Sequence, residues 1–141
     1  MAAALGRAGF GVLVNAVGLD NTADAVVRAS KGFARVVPCS VGQMIALVRR
    51  AALVIGGDTG PLHLAAALER PVVGIYGPTD PARNGPYGVG KVFAGWVLRD
   101  ASSVTSHKRS VEVEDGLLRI GVDEVVGAAL AVLGEGDFER D

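Results

Sequence analysis

At 141 residues, half of them hydrophobic, the chain has the length of one compact domain with a sizeable core. Fourteen basic residues against fifteen acidic ones leave a formal net charge of -1, which excludes the broad positive field of nucleic-acid and anionic-membrane binders and makes any anion site a matter of local geometry. The solitary Cys39 excludes an internal disulfide framework; with no apolar stretch near the ~18 residues of a membrane span and no signal-peptide pattern at Met1, the expectation is a cytoplasmic protein.

In chain order, Ala2 to Ala8 reads as the end of a helix stopped by Gly9, and Phe10 to Ala16 as an apolar, β-branched-rich strand. A helix is predicted from Thr22 to Lys31, capped by Asn21 or Thr22, with Gly32 just beyond it. A short strand, Ala34 to Cys39, follows. Ser40 and Gln43 form a capping-box pattern opening a helix that ends at Arg49 and Arg50, with Val41, Met44, Ile45 and Val48 on one face.

Ala52 to Ile55 is an apolar run too short for a helix, followed by the turn-rich Gly56 to Pro61 and a helical stretch, Leu62 to Glu69. Val72 to Tyr76 is the next strand, bounded by Pro71 and by the loop Gly77 to Pro81. Lys91 to Leu98 suits one more strand, whereas 99 to 119 is polar and ambiguous, open to a long loop at the domain edge, and no element is assigned there. Val122, Val125, Val126, Ala129, Leu130 and Leu133 repeat at helical spacing until Gly134, and 136 to 141 reads as a frayed tail. Helices alternate with strands apolar on both faces, so the predicted class is α/β: a Rossmann-like open parallel sheet with helices on both faces, formed by one domain over residues 1 to 141.

The loop Gly56 to His63 leaves the carboxyl end of a strand and enters a helix, which is where open α/β sheets bind ligands. Pro61 suits the first helical position, Gly60 permits close approach to the backbone, and the free N–H groups of the first turn favour a phosphate. Thr59 adds a hydroxyl donor, whereas Asp58, an acceptor when ionised, suits sugar hydroxyls. The same residues also suit a plain tight βα turn in which Asp58 and Thr59 cap the helix and His63 bonds a neighbouring carbonyl. Asp20, just beyond the Phe10 to Ala16 strand, is placed to accept the vicinal hydroxyls of a ribose or to cap the following helix.

Several chemistries are disfavoured. No Lys follows Gly60, so the loop is not a Walker A motif, and it is not a G-x-G-x-x-G turn. No G-x-S-x-G elbow occurs. His63, His107 and Cys39 have no metal-ligand spacing, and no cofactor is expected.

The run Gly56-Gly57-Asp58-Thr59-Gly60-Pro61-Leu62-His63, with Tyr76-Gly77-Pro78-Thr79-Asp80-Pro81 about a dozen residues later, resembles the family 9 glycosyltransferases, the ADP-heptose lipopolysaccharide heptosyltransferases. The resemblance implies one half of a GT-B fold, the C-terminal domain that holds the donor. It implies that Thr59, Gly60 and the helix start at Pro61 hold the diphosphate, that His63 lies close to it, and that Asp58 turns toward the donor sugar. Asp20 matches a position where the family usually has Glu for the ribose, Met44 or its neighbours face the adenine or the core, and Gly77 to Asp80 form a cleft wall.

The acceptor-binding half, with its carboxylate base, and the first donor-domain strand with its basic phosphate contact are expected outside these residues. The implied reaction is an inverting, metal-independent transfer of heptose from ADP-heptose to a lipopolysaccharide core acceptor. The 141 residues alone are expected to be inactive, and any attachment to the inner membrane is expected through the other half. A non-catalytic ADP or nucleotide-sugar-binding module is the alternative.

Overall fold

The structure, a computed structural model, describes residues 1–16, 21–87, 95–106 and 113–135. The chain forms two compact units, Met1–Ile45 and Ala46–Asp141.

In the first unit, α1 (Ala2–Arg7), β1 (Val12–Ala16), α2 (Asn21–Ala29) and β2 (Ala34–Pro38) alternate, and the strands pair in parallel from Val12↔Ala34 to Ala16↔Pro38. Gly9, at φ +94°, closes α1: its N–H bonds to the carbonyl of Gly6 while that of Phe10 bonds to Leu5. This turn consumes the amide of Phe10, so β1 starts two residues later than the apolar run suggests. Likewise α2 stops at Ala29 rather than Lys31. The buried Ser30 hydroxyl donates to the Val27 carbonyl at 2.6 Å and accepts from the Ala34 amide at 3.0 Å, which turns the chain into β2. The predicted capping box is present at the head of α3 (Val41–Arg50): the Ser40 N–H donates to Gln43 Oε1 at 2.9 Å, and the Gln43 N–H to Ser40 Oγ at 3.3 Å.

The second unit contains β3 (Val54–Gly57), α4 (Gly60–Ala67), β4 (Val72–Tyr76), α5 (Pro81–Asn84), β5 (Gly95–Arg99), α6 (Asp115–Arg119) and α7 (Val122–Glu135). Its strands form a parallel sheet in the order β3-β4-β5. The predicted Val72 to Tyr76 strand is found with those bounds. Successive residues Val72 and Val73 are both fully buried, so both faces of β4 are covered. The helices α4 and α7 pack on this sheet, α4 along β3 and β4, and α7 along β4 and β5. These units have the α/β, Rossmann-like open-sheet class expected.

Three elements differ from the expected bounds, and a fourth forms where none was assigned. β3 runs on through Gly56 and Gly57, because both pair with β4, opposite Gly74 and Ile75, and the ladder outweighs the weak strand preference of glycine. α4 starts at Gly60 and ends at Ala67, so Pro61 is its second residue rather than its first. The polar stretch 99 to 119 contains the short helix α6, started by Glu114, whose carboxylate accepts from the Leu117 N–H at 2.9 Å. The helix α7 continues through Gly134 and buries Val125, Ala128, Ala129 and Val132, leaving Val122 and Leu130 exposed. The apolar spacing there is satisfied by two neighbouring faces, and packing selects the alanine-rich one. Lys91 to Ala94 and the tail 136–141 lie outside the described residues.

Candidate functional site

β3 and β4 are parallel neighbours with Gly57 opposite Ile75, so the segments following them, Asp58–Thr59 and Gly77–Asp80, leave the same carboxyl edge of the sheet. This edge is where an open parallel sheet offers helix N-termini and loops to a ligand.

The one-residue shift in the start of α4 determines the site. Thr59, with extended backbone (φ -139°, ψ 159°), is the N-cap, which puts Asp58 just before the cap and His63 at the fourth helical residue. These two positions face each other across the first turn, the geometry that commonly holds an apolar staple. Here it holds a polar pair, with His63 Nε2 2.7 Å from Asp58 Oδ1. The carboxylate is the acceptor, so Nε2 carries a proton and Nδ1 is the ring's remaining polar atom. Asp58 is largely enclosed while His63 stays 41% exposed at its side chain.

The neighbouring βα junction completes the carboxylate's surroundings. Asn84, at the end of α5, points its Nδ2 at Asp58 Oδ2 from 3.5 Å. Thr79, on the loop after β4, adds to the groups that favour the ionised carboxyl. Burial pushes the Asp58 pKa up, but the hydrogen bonds from His63, Thr79 and Asn84, with the attraction of the imidazole, outweigh it and hold the carboxyl below its ordinary 3.8. The ring of Tyr76 is fully buried beneath this cluster and its hydroxyl donates to the Asn84 carbonyl at 3.1 Å. Burial, and then the negative charge of Asp58, push that phenol up to about 12, so it remains a donor.

Asp58 therefore does not cap α4 and His63 does not bond a backbone carbonyl. Thr59, though the N-cap residue, makes no side-chain cap bond; its hydroxyl donates to the Gly57 carbonyl over a long 3.3 Å and is exposed beside Gly60. Thr59, Gly60, Pro61 and His63 thus share one helix start with Asp58. Asp20 lies outside the described residues. Among the described residues no group of three or more His, Cys, Asp or Glu could hold a metal ion, and no helix is long and apolar enough to cross a membrane. Sequence reasoning missed Asn84 and the pairing of Asp58 with His63. The pairing was available from Thr59 as N-cap; Asn84 was not, because α5 is a four-residue helix set by the Asp80 cap, whose Oδ1 accepts from the Ala82 N–H at 2.9 Å.

Residues 4–111 match the model of glycosyltransferase family 9 (heptosyltransferase). The chain is 34% identical over 91 residues to lipopolysaccharide heptosyltransferase 1 of Escherichia coli, a match covering 62% of this chain and 28% of that protein. It is 45% identical over 49 residues to lipopolysaccharide heptosyltransferase 1 of Salmonella typhimurium, covering 35% of this chain and 16% of that one. The crystal structure of the family 9 glycosyl transferase from Veillonella parvula is similar with a TM-score of 0.77 and 26% identity, over 96% of this chain and 40% of its own. The chain thus spans well under half the length of these relatives. A family match over most of the sequence, together with the likeness of fold, shows that the chain belongs to glycosyltransferase family 9.

Proposed function

We propose that this chain carries the donor site of a heptosyltransferase and binds ADP-heptose for transfer of the heptose to a lipopolysaccharide core acceptor. The observation that carries the reading is the Asp58–His63 pair at the head of α4, beside the exposed Thr59 and Gly60. The diphosphate lies against the Gly60 end of α4, where the helix dipole and the Gly60 N–H favour an anion; Pro61 has no N–H, and those of Leu62 and His63 bond to the Thr59 carbonyl. Asp58 fixes the imidazole through Nε2, and Nδ1 is directed to a phosphate oxygen when protonated. The Thr59 hydroxyl, only weakly held by Gly57, turns to the same group. The second carboxylate oxygen of Asp58 has a single long contact from Asn84 and keeps capacity for a hydroxyl of the donor sugar.

In the reaction, an acceptor hydroxyl loses its proton to a carboxylate base outside these 141 residues and its oxygen attacks the anomeric carbon. The bond to the β-phosphate oxygen breaks on the opposite face, with inversion, and the charge passes to ADP, stabilised at the start of α4. General-base help contributes ~10²–10⁴-fold and positioning more, so these residues alone bind the donor without measurable transfer. The test is calorimetric titration of ADP, UDP and GDP into the chain and its variants. ADP is expected to bind tightest. Thr59→Ala and His63→Ala are each expected to cost about 1–3 kcal/mol, or roughly five-fold to over a hundred-fold in affinity. Unchanged ADP affinity in both folded variants would remove the site.

A further inference from the structure

The polar stretch after β5 clamps the loop that follows β4. Arg99, the last residue of β5, donates from Nε to the Gly77 carbonyl at 3.1 Å. Its Nη2 donates to Thr105 Oγ1 at 2.9 Å and lies 3.4 Å from the Ser103 carbonyl. One guanidinium thus joins the loop after β4 to the turn after β5, a reach suited to its planar fork. The held turn grips the loop again, because the Ser106 N–H donates to the Pro78 carbonyl at 2.9 Å. From the other side Glu114 and α6 close on Gly77: a Cβ there would come within 3.0 Å of Leu117 Cβ and 3.1 Å of Glu114 Oε2. The next residue along the clamped loop, Thr79, joins His63 and Asn84 in favouring the ionised Asp58 carboxyl.

We infer that Arg99 is a positioning residue of the donor site, which fixes the Gly77–Pro78 backbone so that Thr79 stays on Asp58 and the carboxylate keeps the His63 imidazole in place. The inference rests on the reading of this site as the donor site, but its geometry is testable without any ligand. The groups that face the Asp58 carboxyl are His63 from α4, Thr79 from the loop, Asn84 from α5 and the Tyr76 phenol from β4. The carboxyl resonance of Asp58, followed by carbon NMR against pH, reports on all of them.

The experiment is a double-mutant cycle in the full chain with Arg99→Met, which keeps an apolar stem without donors, and Thr79→Val. Arg99→Met is expected to move the Asp58 midpoint up toward the ordinary carboxylate range, and to have no further effect when Thr79 is already Val. Arg99→Lys, which keeps the charge but not the fork, is expected to move it in the same direction and less, and it serves in place of Arg99→Met if that variant does not fold. ADP affinity is expected to fall about five-fold in Arg99→Met, as for one lost hydrogen bond. An unchanged midpoint in folded Arg99 variants overturns the inference. So does an equal shift with Thr79 and with Val at position 79, which would mark a direct loss of charge. A coupled shift together with ADP affinity that ignores Thr59→Ala and His63→Ala would sink the donor-site reading and leave the positioning role standing.

Discussion

Gly56 and Gly74 sit opposite each other on β3 and β4, yet alanine should be tolerated at one and not at the other. A Cβ on Gly74 would lie 2.8 Å from Tyr76 Cε2 and 3.2 Å from Leu62 Cδ2. Ordinary contact begins near 3.4 Å, so the tyrosine ring must retreat by about 0.6 Å. It has little room to do so, since Tyr76 is fully buried and its hydroxyl is bonded to the Asn84 carbonyl. Overpacking of this kind costs about 1–3 kcal/mol, which for a chain of this size lowers Tm by roughly 3–12 °C. A Cβ on Gly56 would meet nothing nearer than Thr59 Oγ1 at 3.9 Å. Gly56→Ala should therefore be neutral or stabilise by up to about 1 kcal/mol through the unfolded chain. Thermal and urea unfolding of the two variants decide the matter. Gly56→Ala at least as damaging as Gly74→Ala would refute the packing described for Tyr76.

Three further outcomes are expected. Glu69 closes α4 at φ 56°, with the Arg70 N–H bonded to the Ala65 carbonyl, so Glu69→Gly relieves a left-handed strain of about 1–2 kcal/mol, less the entropy of glycine, and urea unfolding should show a net gain of up to about 1 kcal/mol. Ser40→Ala removes the hydroxyl half of the capping box and should cost about 1 kcal/mol by the same measurement. Because folding lowers the Asp58 pKa, that group's contribution to stability is complete above its unfolded value near 3.8 and is lost as pH falls through the lower folded value. Through this group, the stability advantage of the native sequence over Asp58→Asn should accordingly shrink as pH falls below 3.8, which unfolding at a series of pH values would check.

Local pattern was sufficient where one strong signal governed an element. β4 is apolar on both faces between Pro71 and Gly77, and its bounds could be read directly; the Ser40–Gln43 box gave the head of α3. It failed where a distant partner decides. The strand character of Gly56–Gly57 comes from β4, and the helix α6 is fixed by Glu114 gripping Ser103, Val104 and Leu117, none of which marks a helix by composition. At the site, Asp58, Thr59, Gly60, Pro61 and His63 were legible because they follow one another along the chain. The contact between Asp58 and His63 was not, because placing Pro61 first in the helix turns Asp58 one position away from its partner. Asn84 and Arg99 reach the site only through the parallel register of β3, β4 and β5, which the linear sequence does not display.

The central claim is that the start of α4 receives the diphosphate of an ADP-sugar, and a crystal structure of the chain with ADP tests it most directly. The account predicts the β-phosphate within hydrogen-bond reach of the Gly60 N–H, with the Thr59 hydroxyl and His63 Nδ1 turned toward it. Phosphates bound more than about one helical turn, ~5.4 Å, from the backbone nitrogens of residues 60 to 64 would contradict it.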